Sequence, residues 1–167
     1  TDPEGIAAAV SAARNGLRVL LADGRNRTML GGLLTEGGLN TLDMNWVPGA
    51  RDGTTYLNKG LFQEWYDKLE GNSFDTITAA NAFYAWVKAE SNIDLLMGVR
   101  SWKPIADNRN GRIRVSGMEL TRPDGSVVTV RSAAVIDATQ DGDIYAMAGA
   151  DYTVGREDIG DERSLMA

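Results

Sequence analysis

The sequence predicts an α/β chain in which parallel strands packed on helices are interrupted by a three-stranded antiparallel β-meander. Three observations predict it. A helix of small residues at the start runs into the apolar stretch 17–22, LRVLLA. Two turn signals, at 107–111 and at Pro123-Asp124-Gly125, punctuate alternating segments between Arg100 and Arg131. A continuous apolar run, 133–138 (AAVIDA), then follows the meander, as a strand covered on both faces would read.

Each element has a local reason. Pro3 suits a first helical turn, where its missing N–H costs nothing, and Asp2 stands where a cap belongs. Gly5 permits close helix–strand approach, the small residues from Ile6 to Ala13 pack tightly, and Gly16 supplies a left-handed stop. The stretch 17–22 reads as a buried strand with Asp23 at its carboxyl end. A glycine-rich loop follows, holding the pairs Gly31-Gly32 and Gly37-Gly38. Residues 41–55 read as irregular, with Pro48, Gly49 and Gly53. Helical spacing returns at Leu57, Leu61, Trp65 and Leu69, and Gly71-Asn72 ends that helix. Asp75 caps a second helix reaching Ser91. Short strands are expected over 93–99 and 100–106, then over 112–121 and 126–131. Trp65, Tyr66, Phe83 and Trp86 read as core.

Composition narrows the chemistry. With 43% hydrophobic and 24% charged residues the 167-residue chain is globular in character. A net charge of −6 and a pI near 4.7 argue against binding nucleic acid or an anionic membrane. Cysteine and histidine are both absent, which excludes a disulfide framework, a Ser-His-Asp triad, a Cys-His pair and a histidine zinc site. No metal site is expected, and the lack of cysteine fits a cytoplasmic setting.

Gly5 and Asp23 lie 18 residues apart. An acidic side chain about 20 residues beyond a phosphate turn reaches the ribose in dinucleotide-binding βαβ units. Read alone, Asp23 either accepts from ribose hydroxyls or closes the turn before Gly24. Arg25 and Arg27 either reach adenosine or phosphate or stand in solvent. The glycine pairs favour a backbone that comes close to another group. Asp141 caps the helix that begins near Ile144, a role compatible with a place in a nucleotide site.

The opening TDPEGIAAAVSAARNG, the loop around Gly31-Gly32 and the stretch 135–143 (VIDATQDGD) together resemble the FAD-dependent oxidoreductases of the two-dinucleotide-binding-domain type. The resemblance spans nearly the whole chain. It implies a Rossmann-like FAD-binding domain over 1–167, cut at both ends, with its first strand ahead of Thr1 and a substrate domain beyond Ala167. The segment 92–131, a strand and the meander, is then an insertion before the returning strand 133–138. It implies the phosphate turn at Asp2, Pro3, Glu4 and Gly5, with Asp2 in place of the second glycine. Asp23 is placed on the ribose, and Gly24 and Arg25 near adenosine. Gly31 and Gly32 fall beside the pyrophosphate, Leu33 and Thr35 toward the isoalloxazine ring, and Ser101 where a backbone group meets adenine. Ala138, Thr139 and Asp141 form the second nucleotide motif, with Gln140 replacing its usual glycine. Without His or Cys to form the common tethers, FAD would be held non-covalently. The implied function is transfer of hydride or electrons between FAD and a small-molecule substrate. The alternatives are a redox-inactive nucleotide-binding module, favoured by Asp2 and Gln140, and an NAD-dependent enzyme, disfavoured by the meander.

Overall fold

In a computed structural model of the protein, residues 1–43 and 58–155 are described. The first helix, α1 (Pro3–Arg14), begins with proline in its first turn and ends as expected. Gly16 adopts φ 82°, its N–H donates to the Ala13 carbonyl, and the Leu17 N–H reaches back to Ala12 at 3.1 Å. These two bonds satisfy carbonyls that the helix end would otherwise leave open. Strand β1 (Val19–Ala22) follows and pairs in parallel with β2 (Ile93–Leu96), Val19 opposite Ile93 and Ala22 opposite Leu96. Between them lie α2 (Leu61–Tyr66) and α3 (Thr76–Lys88). The expected cap of α3 is in place, with the Asp75 carboxylate accepting from the Thr78 N–H at 2.8 Å.

The meander comprises β3 (Ser101–Arg109), β4 (Arg112–Thr121) and β5 (Val127–Arg131), antiparallel in that order. Here β3 runs past the expected turn at 107–111. The reversal is confined to Asn110-Gly111, at φ 54° and 76°, the left-handed pair that a two-residue hairpin requires. A bulge between Pro104 and Ala106 shifts the register once. A last short helix, α4 (Asp143–Met147), closes the described chain.

Two further elements depart from expectation. Helix α2 stops at Tyr66 rather than near Leu69, because the Lys68 and Leu69 amides turn back on Trp65 and Tyr66 three residues earlier. Its expected start at Leu57, and most of the irregular stretch 41–55, lie outside the described residues. More consequentially, the run 133–138 is not a strand. Strand β1 has β2 as its one ladder partner among the described residues, and 134–139 has none. Apolar composition alone cannot make a ladder, so Ile136 remains 66% exposed.

The core forms two clusters. In the larger, Ile6 and Val10 of α1 meet Phe83, Trp86 and Val87 of α3, with Trp65 stacked on Phe83 at 4.6 Å. The four aromatic residues read as core are all buried. On the rim, the Arg14 guanidinium holds Glu64 and Glu90 at 2.6 Å, and the Trp86 indole donates to Glu64, tying α1 to α2 and α3. The smaller cluster sets Val99, Met118 and Leu120 under the meander, with Trp102 and Val135 against them.

Candidate cofactor site

The carboxyl end of β1, the tip of α1 and the turn after residue 138 converge on one cavity of about 760 Å³. Its walls include Asp2, Asp23, Arg25, Ala138 and Thr139. The two backbones approach closely: a Cβ on Gly5 would stand 3.1 Å from that of Ala138. The first amides of α1 lack intrahelical acceptors and give this end of the cavity a partial positive charge.

Asp23 is 1% exposed. The Thr1 hydroxyl donates to its Oδ1, while Oδ2 accepts no hydrogen bond. Burial pushes the carboxyl above its ordinary range; the Thr1 bond, Arg27 and the Gly98 amide offset this only in part. A buried carboxylate oxygen without a donor is costly, and a hydroxyl arriving in the cavity would relieve it.

The Asp2 carboxylate does not cap α1, although the residue occupies the N-cap position. It turns instead to Arg27, forming an ion pair in which the Asp2 side chain is 5% and Arg27 22% exposed. A carboxylate at the tip of α1 is thereby neutralised from within the chain. Its space exists because of the neighbouring loop. Gly31 takes φ 105° and Gly32 φ 49°, and a Cβ on Gly32 would fall on the Asp2 carboxylate. The Gly31 N–H also donates to the Thr1 carbonyl at 2.9 Å, fixing loop against helix tip.

Several expected site residues are engaged elsewhere. The Thr35 hydroxyl is buried and donates to the Leu30 carbonyl at 2.8 Å, so it shapes the loop. Leu33, 53% exposed, is the middle residue of the short 3-10 turn Gly32–Leu34. Glu4 is exposed and accepts from Gln140 at 3.3 Å; Pro3 is half-buried. Arg25 pairs with Asp141, and with Asp143 at 3.3 Å, drawing the loop after β1 to the second motif. Gln140 needs no left-handed backbone, because that conformation falls on Gly142 at φ 69°. The Ser101 hydroxyl donates to Thr121 at 2.8 Å on an exposed face, whereas the next residue, Trp102, lines the cavity beside Gly24.

Two organising carboxylates escaped sequence reasoning. Asp137 accepts from the Thr139 N–H and hydroxyl and from the Tyr145 N–H, and Thr139 in turn accepts from the Asp143 N–H. Burial would raise the Asp137 carboxyl, but the bonds from Thr139 and Tyr145 outweigh it and hold it below the ordinary range. The Asp-x-Thr spacing was the available signal. Glu36 accepts from the Thr28 N–H and hydroxyl and from the Met29 N–H, bracing the glycine loop. It had no comparable signature.

The family model for FAD dependent oxidoreductases matches residues 1–167, the whole chain. The chain belongs to the FAD-dependent oxidoreductase family. Neither a curated protein nor a solved structure matches it. Membership in the FAD-dependent oxidoreductases implies FAD as cofactor and suggests a flavin-binding redox function. The cavity fits that cofactor on its own evidence: an orphaned carboxylate oxygen at Asp23 for a ribose hydroxyl, and helix-tip amides for the pyrophosphate. No group of three or more acidic residues among the described residues could hold a metal. No helix among them is long and apolar enough to cross a membrane.

Proposed function

We propose that this chain is the FAD-binding domain of a flavoprotein oxidoreductase, Rossmann-like in plan, that holds FAD non-covalently and serves a small-molecule substrate. The buried Asp23 at the carboxyl end of β1, which lines the same cavity as the α1 tip and whose Oδ2 has no partner, carries the reading. In it, Asp23 accepts from the adenosine ribose and the Gly5 end of α1 receives the pyrophosphate. Gly31 and Gly32 keep the loop backbone close to the helix tip. Ala138, Thr139 and Asp141 close the second side through backbone groups, because the Thr139 hydroxyl is committed to Asp137. Arg25 exchanges its partners Asp141 and Asp143 for phosphate. When bound, FAD supplies the two-electron redox chemistry, and the chain's residues bind, orient and shield it. The absence of cysteine supports a cytoplasmic setting.

The redox-inactive alternative drew on Asp2 and Gln140. Arg27 neutralises the first, and the left-handed position lies at Gly142 rather than at the second. Reconstitution tests the proposal. The purified chain titrated with FAD should quench flavin fluorescence to saturation, and the bound flavin should bleach with dithionite. A chain that leaves FAD fluorescence unchanged sinks it.

A further inference from the structure

Three residues that line the cavity each hold a buried side-chain polar atom without a partner among the described residues: Asp23 Oδ2, Trp102 Nε1 and Ser132 Oγ. Trp102 is the informative one. Strand β3 alternates its side chains, so Ser101 faces outward to Thr121 while Trp102 turns inward, opposite Leu120 of β4. The edge of its six-membered ring occupies the space beside Gly24: a Cβ there would come 2.6 Å from Cη2 and 2.9 Å from Cε3. Gly24 directly follows Asp23, so the ring buttresses the turn from which that carboxylate is presented. Among the other described indoles, the Trp65 N–H is also without a partner, but Trp65 does not line the cavity. Trp86 donates to Glu64, and Trp65 sits in the larger core cluster away from the cavity.

We infer that Trp102 is a ligand-binding and positioning residue, its N–H donating to the adenine nucleotide whose ribose Asp23 accepts. The inference deepens the proposed function and rests on it. A buried indole N–H is a donor only, and an orphaned one is unfavourable until an acceptor arrives. A nucleoside answers both orphans at once, offering hydroxyl donors to Asp23 and ring nitrogen or ribose oxygen acceptors to Trp102. The ring's contact with Gly24 couples the two, since a shift of the indole moves the Asp23 turn. Gly24 is therefore glycine because the indole occupies the space of a side chain, a reason distinct from any approach to phosphate.

The test uses ADP, which carries adenosine and both phosphates without the flavin. In the 15N-labelled full chain, one of four tryptophan indole signals belongs to Trp102, identified by its loss in Trp102→Phe. ADP should move that signal, and Trp102→Phe, which keeps a ring beside Gly24, should bind ADP roughly fivefold to tenfold more weakly by calorimetry. Bound ADP that leaves the Trp102 signal unmoved, or equal affinity in a folded Trp102→Phe chain, overturns the inference while sparing the proposed function. A wild-type chain that binds neither ADP nor FAD overturns both.

Discussion

Asp23→Asn keeps the shape of the side chain and removes its charge, so it separates binding from stability at one atom. Oδ1 is engaged by Thr1 and Oδ2 has no partner, which leaves one charge-assisted bond to the ribose for the substitution to weaken. Bonds to charged groups contribute about 1.5–3 kcal/mol against about 0.5–1.5 kcal/mol for neutral ones. The difference, about 1–2 kcal/mol, is a roughly 5- to 30-fold rise in the Kd for FAD. Stability should move the other way. Burial raises the Asp23 carboxyl in the folded chain, so ionising it disfavours the fold. That cost is absent below the unfolded pKa, near 3.9, and grows as pH rises through the folded value. The asparagine variant lacks it. Fluorescence titration with FAD, paired with melting curves from acid to neutral pH, reads both effects. Unchanged affinity together with a lower melting temperature at neutral pH would refute the assignment, because Asp23 would then be a structural cap.

Arg27→Met strands the Asp2 carboxylate, whose side chain is 5% exposed, and should cost roughly 3 kcal/mol in urea unfolding. Adding Asp2→Asn should restore much of that loss, and a single variant as stable as wild type would dismiss the ion pair's importance. Asp137→Asn should lose about 1–2 kcal/mol at neutral pH through weakened bonds from Thr139 and Tyr145. The Asp137 carboxyl is held low, so its contribution is present above the unfolded pKa and fades as pH falls through the folded one. The variant's deficit should therefore shrink in acid; a deficit independent of pH would contradict the account. Glu36→Ala removes the acceptor for Thr28 and Met29 and should raise hydrogen exchange at those amides while lowering stability by about 1 kcal/mol. Exchange rates equal to wild type would count against its bracing role.

What the sequence made legible was local. Pro3, Gly16 and Asp75 marked helix ends through backbone rules that act over a few residues, and the meander announced itself through alternation and turns. What escaped was set by distant partners. The stretch 133–138 has strand composition, but a strand is a pairing, and no ladder partner for it is found among the described residues. Asp2 carries the residue type of a cap, yet Arg27 draws it away across 25 positions. Ser101 and Trp102 show how one step along a strand exchanges the face turned to solvent for the face turned to the cavity. Thr35 and Thr139 sit within expected motifs, yet their hydroxyls serve the chain's own backbone and Asp137. Their spacing could not reveal that.

The side of β1 turned away from β2 has a consequence for handling the protein. Leu20 and Ala22 present their amide hydrogens and carbonyl oxygens to that side, because the Val19 and Asp23 amides donate toward β2, and Leu20 is 38% exposed with no guarding lysine or proline in the strand. Such a border recruits any extended apolar stretch, including one from a neighbouring molecule. Light scattering should therefore grow with concentration in the wild type, and a charge placed at Leu20 should suppress that growth.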